Sequence, residues 1–279
     1  MFYQTKIVKY LKPRLIIIGL ALIALAICKP QGFIHDPVAL PPETVAIEPA
    51  GTPADEDRYR ILRLAMVSRI HTQPGMGDKN ILRAMGIVPR HLFVPEPFTS
   101  LAYTDQVLQI DHQQFTPNPY QTAWLISLLR VKAGDKVMLI GTGFGYFPAV
   151  IAEMGAGEIF ALDRDPEIVS RAAQLLGSLG YQNIHITPGD PDNGWLEYAP
   201  YNAILSLQAS DRPLQSLTIQ LAPGGRLVMP IMQPGDPQKI WQFIKQENGN
   251  LPGSEQGDFL GDDDFDEDLS GSFEVPGPY

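Results

Sequence analysis

The sequence predicts an α/β fold in which a mostly parallel sheet is doubly wound, with helices on both faces. The first observation is an apolar run, Val137–Ile140, which has the length and composition of a buried parallel strand. Three alternate glycines follow it and lead into a segment with helical spacing, Phe147–Met154. The second observation is a further strand, Ile159–Asp163, which ends in an acid about twenty residues later, where ribose hydroxyls are usually bound. Together they predict a site for a nucleoside-containing cofactor.

Residues 1–28 have the character of an export signal or a membrane anchor. Four basic residues precede the uncharged run Leu15–Ile27. At about 1.5 Å per residue this run would span roughly 20 Å, short of the roughly 30 Å hydrocarbon core of a bilayer. Three outcomes stay open: cleavage after Ala26, lipidation of Cys28, or an uncleaved anchor. In each, the basic flank stays cytoplasmic, and we expect a membrane-attached or exported protein of the bacterial cell envelope; without such a signal it would be cytoplasmic.

Residues 29–54 are predicted to form an extended linker, because they hold six prolines and few large apolar side chains. The folded α/β domain is predicted over residues 55–250, and it begins with a helical N-terminal extension. Apolar side chains repeat there at helical spacing at Tyr59, Leu62, Met66 and Ile70. After a break, Asp78 is expected to cap a short helix, Asn80–Met85.

The rest of the body alternates between helices and strands, as a doubly wound sheet requires. Helices are predicted over Pro166–Leu179 and Leu214–Leu221. Strands are predicted at Ile184–Ile186, Ala203–Leu207, Arg226–Pro230 and Lys239–Gln246. Residues 251–279 are predicted to be a disordered acidic tail, because Asp262–Asp268 is a block of mostly like charges that repels itself.

Composition excludes several classes of function. The net charge of the 279 residues is −10, which argues against duplex nucleic acid as a partner. Nine of the 31 acids lie in the last 29 residues, so the body is nearly neutral. Cys28 is the only cysteine, which excludes an internal disulfide and a cysteine-rich metal site. We predict no metal site, because the five histidines lack ligand spacing and Glu267 stands where a calcium loop needs glycine.

Several segments resemble the protein-L-isoaspartate O-methyltransferase family. The resemblance begins with three segments, Asp78–Met85, Val88–Pro95 and Ala102–Asp105, of which the second reads Val-Pro-Arg-His-Leu-Phe-Val-Pro. It continues through the glycine turn, Gly189-Asp190, Gly194-Trp195 and Gln220–Pro230, and covers roughly residues 58–250. It implies a Rossmann-like class I methyltransferase fold, S-adenosylmethionine as cofactor and, as substrate, proteins or peptides with isomerised aspartyl residues. The implied activity is methylation of their side-chain carboxyls in protein repair.

The resemblance also implies which residues hold the cofactor. The methionine end would be shaped by Gly141, Thr142, Gly143 and Gly145. Asp163 would accept hydrogen bonds from the ribose hydroxyls, and Asp190 would reach the adenine amino group. Two alternatives stay open: Asp163 could instead cap the helix that begins at Pro166, and Asp190 could be an ordinary turn residue.

Two of the chain's departures from the family's pattern bear directly on the site. Leu139 replaces an acid two residues before the first glycine, and Pro117 replaces a serine in the substrate loop. Proline has neither a hydroxyl nor an N–H to hold a carboxylate. The catalytic candidates in this loop are therefore Thr116, one position away, and the retained Gln114; the alternative for Thr116 is an ordinary loop hydroxyl.

Three functions are compatible with these residues. The first is an S-adenosylmethionine-dependent protein carboxyl methyltransferase acting on isoaspartyl residues. The second is a catalytically degenerate, envelope-attached binding or scaffold module, favoured by Leu139, Pro117 and the signal segment, since the cofactor is made in the cytoplasm. The third is a methyltransferase with a changed substrate, for which Phe115 is the only indication.

Overall fold

The computed structural model describes residues 53–109, 115–232 and 237–258, all of which belong to one compact unit of the chain. The helices are α1 Pro53–His71, α2 Lys79–Ile87, α3 Pro119–Leu129, α4 Tyr146–Glu153, α5 Pro166–Ser178 and α6 Gln215–Ile219. Three short 3-10 helices lie at Arg90–Phe93, Glu96–Leu101 and Leu196–Tyr198. The strands are β1 Leu108–Gln109, β2 Phe115–Thr116, β3 Lys136–Ile140, β4 Glu158–Asp163, β5 Ile184–Pro188, β6 Tyr201–Ser206, β7 Leu221–Ile231, β8 Lys239–Ile244 and β9 Gly253–Asp258.

The predictions for the signal segment, for the linker up to residue 52 and for the chain after residue 258 lie outside the described residues, as does Gln114. Within the described ranges, no helix combines the length and apolar character needed to cross a membrane.

Seven strands form the central sheet in the order β5-β4-β3-β6-β7-β8-β9. The first five are parallel to one another, and β8 and β9 add an antiparallel edge. The chain starts in the middle at β3, winds outward through β4 and β5, and then returns to the other side of β3. This arrangement confirms the predicted doubly wound, mostly parallel Rossmann-like fold.

The central strand β3 is buried on both faces, as its continuous apolar run predicted. Met138 and Ile140 face one apolar cluster, whereas Val137 and Leu139 face the other. Leu139 is fully buried and pairs in register with Ala161 and Leu205 on the neighbouring strands. Each face of the sheet therefore has its own core.

The helical N-terminal extension is confirmed. Asp78 caps α2 by accepting from the backbone N–H of Asn80 at 2.8 Å and of Ile81 at 3.4 Å. Asn80 in turn donates to the carbonyl of Met154 at 3.0 Å, which joins α2 to the end of α4. Through this contact the extension is attached to the helix that follows the glycine turn.

Two predicted boundaries are wrong at the far side of the sheet. The helix predicted to reach Leu221 stops at Ile219, because the backbone from Leu221 onward joins β7. The tail predicted from residue 251 begins too early, because β9 pairs with β8 as an edge strand. Its sequence is polar and lacks alternation, so the pairing uses backbone groups and the close approach of Gly253 to the Phe243 ring.

Candidate functional site

A cleft of about 200 Å³ opens at the carboxyl ends of the parallel strands β3, β4 and β6. The direction of winding reverses between β3 and β6, and such a switch point leaves a crevice for a ligand. Residues from the ends of all three strands line the cleft, including Gly141, Asp163 and Leu207. The predicted switch-point residues therefore meet at one place.

The glycine turn forms one wall of the cleft. Gly141, Gly143 and Gly145 have φ values of +69°, +62° and +96°, a region that other residues rarely adopt. Gly145 also caps α4, and a Cβ there would lie 3.2 Å from Leu176 Cδ1. Thr142 lines the cleft together with Gly141 and Gly143, whereas the predicted Gly145 is not among the described lining residues.

Asp163 lies at the end of β4 and borders the cleft. Its Oδ2 accepts from the N–H of Gly143 at 3.3 Å, and its Oδ1 accepts from the N–H of Asp165 at 3.2 Å. The cap of α5 is Asp165, which accepts from Glu167 at 2.8 Å. Asp163 is thus not the helix cap, and its carboxylate oxygens retain lone pairs for a ligand.

Asp190 is not among the described residues that line the cleft. Its carboxylate accepts from the Asp192 N–H at 3.1 Å and from the Asn193 side chain at 3.0 Å, and it lies 3.9 Å from Arg164. The side chain that reaches the cleft from this direction is Gln208, which donates to Asp192 Oδ1 at 2.8 Å. The adenine-binding role of Asp190 stays a prediction.

The opposite wall is the short antiparallel hairpin of β1 and β2, with Leu108 paired to Thr116. Phe115, Thr116 and Pro117 line the cleft, and Phe115 is 37% exposed at its rim. The predicted Thr116 is therefore at the cleft, as a substrate-side residue must be. Its catalytic role and that of Gln114, whose position is outside the described ranges, stay predictions.

Neither apolar residue at the glycine turn fills the cleft. Leu139 is fully buried in the core below and is not part of the lining. Phe144 borders the cleft, and its ring centre lies 5.7 Å from the Arg171 guanidinium carbon on α5. The missing acid at position 139 has therefore been replaced by core packing rather than by an obstruction.

Arg90 is a lining residue to which the sequence assigned no role. It is 1% exposed, and its Nε donates to the Ala102 carbonyl at 2.9 Å. Its Nη2 donates to the Pro117 carbonyl at 2.6 Å, and its guanidinium carbon lies 4.7 Å from the ring centre of Tyr146. Burial lowers the pKa of Arg90 and raises that of Tyr146. The sequence feature that could have indicated a role for Arg90 was its place in the Val-Pro-Arg-His segment. For Gln208 the only such feature was its position directly after a strand.

A buried polar group supports this wall from behind. His91 Nδ1 lies 2.8 Å from the Tyr103 hydroxyl, and the His91 ring stacks on Tyr59 at 4.0 Å. Burial, helped by the nearby charge of Arg63, lowers the pKa of His91 to about 4. His91 is therefore neutral at pH 7 and serves the packing of the N-terminal extension.

Comparison with known proteins relates this chain to a family of methyltransferases. A family model described as Protein-L-isoaspartate(D-aspartate) O-methyltransferase (PCMT) matches residues 63–259. The protein-L-isoaspartate O-methyltransferase of Gloeobacter violaceus is 40% identical over 175 residues, which cover 63% of this chain and 85% of that protein.

Two solved structures have the same fold. A protein-L-isoaspartate O-methyltransferase superposes with a TM-score of 0.63 and 24% identity over 71% of this chain. The match covers 63% of that protein's length, which is less than two thirds. A Plasmodium falciparum structure assigned to the same enzyme, in complex with S-adenosyl-L-homocysteine, gives 0.60 and 19% identity over 70% of this chain and 94% of its own.

Proposed function

The chain belongs to the protein-L-isoaspartate(D-aspartate) O-methyltransferase family, and on that premise we propose that it is an S-adenosylmethionine-dependent carboxyl methyltransferase. Its substrates are proteins or peptides that carry isoaspartyl residues, and its role is protein repair. The observation that carries the proposal is the cleft at the switch point, which places the glycine turn and Asp163 opposite the β1–β2 hairpin. One wall suits a nucleoside cofactor, and the other is open to a peptide.

The residues present fit S-adenosylmethionine. Gly141 and Gly143 let the backbone pass close to a ligand, and a Cβ on Gly143 would point into open space. Asp163 can accept from two ribose hydroxyls while it keeps its contact to the Gly143 N–H. The Plasmodium relative binds the demethylated form of this cofactor, which supports the same ligand for this chain.

When bound, S-adenosylmethionine supplies a methyl group activated by its sulfonium. The protein's part is alignment, since a carboxylate oxygen is already nucleophilic and the reaction needs orientation more than covalent help. The glycine turn orients the cofactor end, and Phe115 and Thr116 bound the space that the acceptor side chain must enter. Apolar lining residues such as Phe93, Phe147 and Ile168 exclude water from this space.

The test combines two measurements on the purified chain. Calorimetric titration with S-adenosylmethionine is expected to show binding, and radiolabel transfer is expected for an isoaspartyl peptide but not for the matched aspartyl peptide. Absence of cofactor binding at millimolar concentration would refute the enzyme and favour the scaffold alternative. Cofactor binding without isoaspartyl methylation would point instead to a changed substrate.

We also propose that residues 1–28 attach the protein to the membrane or direct its export to the bacterial cell envelope. The support is the basic flank before an uncharged apolar run. Cell fractionation should find the full chain with the membranes or outside the cytoplasm, and a variant lacking residues 1–28 in the soluble cytoplasmic fraction. Mass spectrometry of the mature protein would distinguish an acylated Cys28, a start at Ile27 and an intact anchor. A full chain found only in the cytoplasm would refute the proposal.

A further inference from the structure

Arg90 is a buried cation, and one of its three guanidinium nitrogens is available to a ligand. Nε and Nη2 are committed to the carbonyls of Ala102 and Pro117, which fixes the plane of the guanidinium beside the β1–β2 hairpin. Apart from the contact between the Arg90 and Tyr146 side chains themselves, Nη1 and the buried Tyr146 hydroxyl make no hydrogen bond of acceptable geometry to any described residue. Two neighbouring polar atoms at the edge of the cleft therefore have no partner beyond each other, which native proteins rarely tolerate without a functional reason.

The charge of Arg90 is also uncompensated within the described part of the chain. No ion pair there includes Arg90, and the groups that favour its charge are the hydroxyls of Tyr146 and Tyr103. A buried cation without a counter-ion is costly, and an anionic ligand removes most of that cost. Among the described lining residues, Arg90 is the one cation and Asp163 the one acid.

We propose that Arg90 binds the carboxylate of the isoaspartyl substrate through Nη1, together with the hydroxyl of Tyr146. The inference deepens the proposed function and rests on it for the identity of the substrate. It assigns the two charges of the cleft to its two ligands, with Asp163 serving the ribose and Arg90 the acceptor carboxylate. A guanidinium N–H is a strong, charge-assisted donor to such a group.

The position of Arg90 explains how the chain manages with Pro117. Proline offers the acceptor neither a hydroxyl nor an N–H, but its carbonyl holds the Arg90 side chain at 2.6 Å. The donor that the loop lacks is thus supplied from the segment Arg90–Phe93. Nη1 and the Tyr146 hydroxyl are covered from solvent, so binding of the carboxylate requires the lining residues over them to move aside.

The experiment measures binding without turnover. An isoaspartyl peptide and the matched peptide with a carboxamide in place of that carboxyl are titrated into the full chain by calorimetry, with S-adenosylhomocysteine present so that no methyl group is transferred. The wild type is expected to bind the carboxylate form about tenfold to a hundredfold more tightly than the carboxamide, as a hydrogen bond to a charged group implies. The preference should fall to about twofold in Arg90→Met. In Tyr146→Phe it should be several-fold, and in Arg90→Lys it should lie between those of Arg90→Met and the wild type.

Arg212→Met is the matched control, because the Arg212 side chain is 81% exposed and is not among the described lining residues, and it should keep the full preference. If Arg90→Met does not fold, Tyr146→Phe still decides, since it removes one oxygen and keeps the ring. An unchanged preference in folded variants overturns the inference, as does a wild type that does not distinguish the acid from the carboxamide. A variant that keeps the preference but loses affinity for S-adenosylhomocysteine would show that Arg90 serves the cofactor's carboxylate instead. A preserved preference without methyl transfer would sink the proposed activity and leave this assignment standing.

Discussion

Replacing Asp163 with alanine should weaken cofactor binding much more than it weakens the fold. The carboxylate accepts two backbone hydrogen bonds, from Gly143 at 3.3 Å and from Asp165 at 3.2 Å. Both are long for N–H···O bonds, so their loss should cost about 1 kcal/mol of unfolding free energy in total. The bonds from ribose hydroxyls to Asp163 are worth about 1.5–3 kcal/mol together, because the acceptor is a carboxylate rather than a neutral oxygen.

Asp165→Ala provides the control two residues away. Asp165 caps α5 through the N–H groups of Glu167 and Ile168, and the loss of such a cap costs about 1 kcal/mol of stability. Because Asp165 does not line the cleft, its removal should leave cofactor affinity within about twofold. The two variants should therefore match in stability and differ in affinity.

The assay is calorimetric titration with S-adenosylhomocysteine, paired with urea unfolding of each variant. We expect the dissociation constant of Asp163→Ala to rise roughly 10- to 150-fold, which is the conversion of 1.5–3 kcal/mol. Equal affinity in Asp163→Ala and the wild type would refute the ribose-binding role. Equal losses in both variants would show that the effect passes through the β4–α5 turn rather than through a direct contact.

Three further outcomes follow from the described structure. The pKa of His91 is lowered to about 4 from an unfolded value of 6.5, so the native state binds fewer protons than the unfolded state. The free energy of unfolding should therefore fall by about 3 kcal/mol from pH 7 to pH 4. Urea unfolding of the His91→Gln variant should lack this pH-dependent component. Gly145→Ala should cost about 1–2 kcal/mol of stability, because its φ is +96° and its Cβ would lie 3.2 Å from Leu176. Gly180→Ala is the control and should cost about 1 kcal/mol, because its φ is +84° but its Cβ would meet open space. Equal melting temperatures for the two variants would contradict the packing argument. A chain ending at Asp258 should keep its melting temperature, whereas a chain ending at Pro252 should melt several degrees lower because it lacks β9. Identical melting curves would favour the domain boundary at residue 250 that the sequence predicted.

Local pattern in the sequence was sufficient for six strands of the central sheet, β3 to β8, and for half of the cleft. The apolar run of β3, the glycines after it and the acid at the end of β4 are close in sequence, and their roles follow from strand burial and backbone freedom. The short helix after Asp78 was equally accessible, because a cap depends on a few neighbouring residues. It was also evident from the sequence that Leu139 replaces the acid that the family's pattern has before the glycine turn.

Only the tertiary structure decided the rest of the site, because it depends on contacts between distant residues. Arg90 meets the Pro117 carbonyl across 27 positions, and nothing local to either residue indicates the other. Whether Asp163 or Asp165 caps α5 depends on where β4 ends, and β9 forms a strand only because β8 offers it a partner. Side-chain direction and backbone pairing of this kind are set by packing, which a linear pattern does not contain.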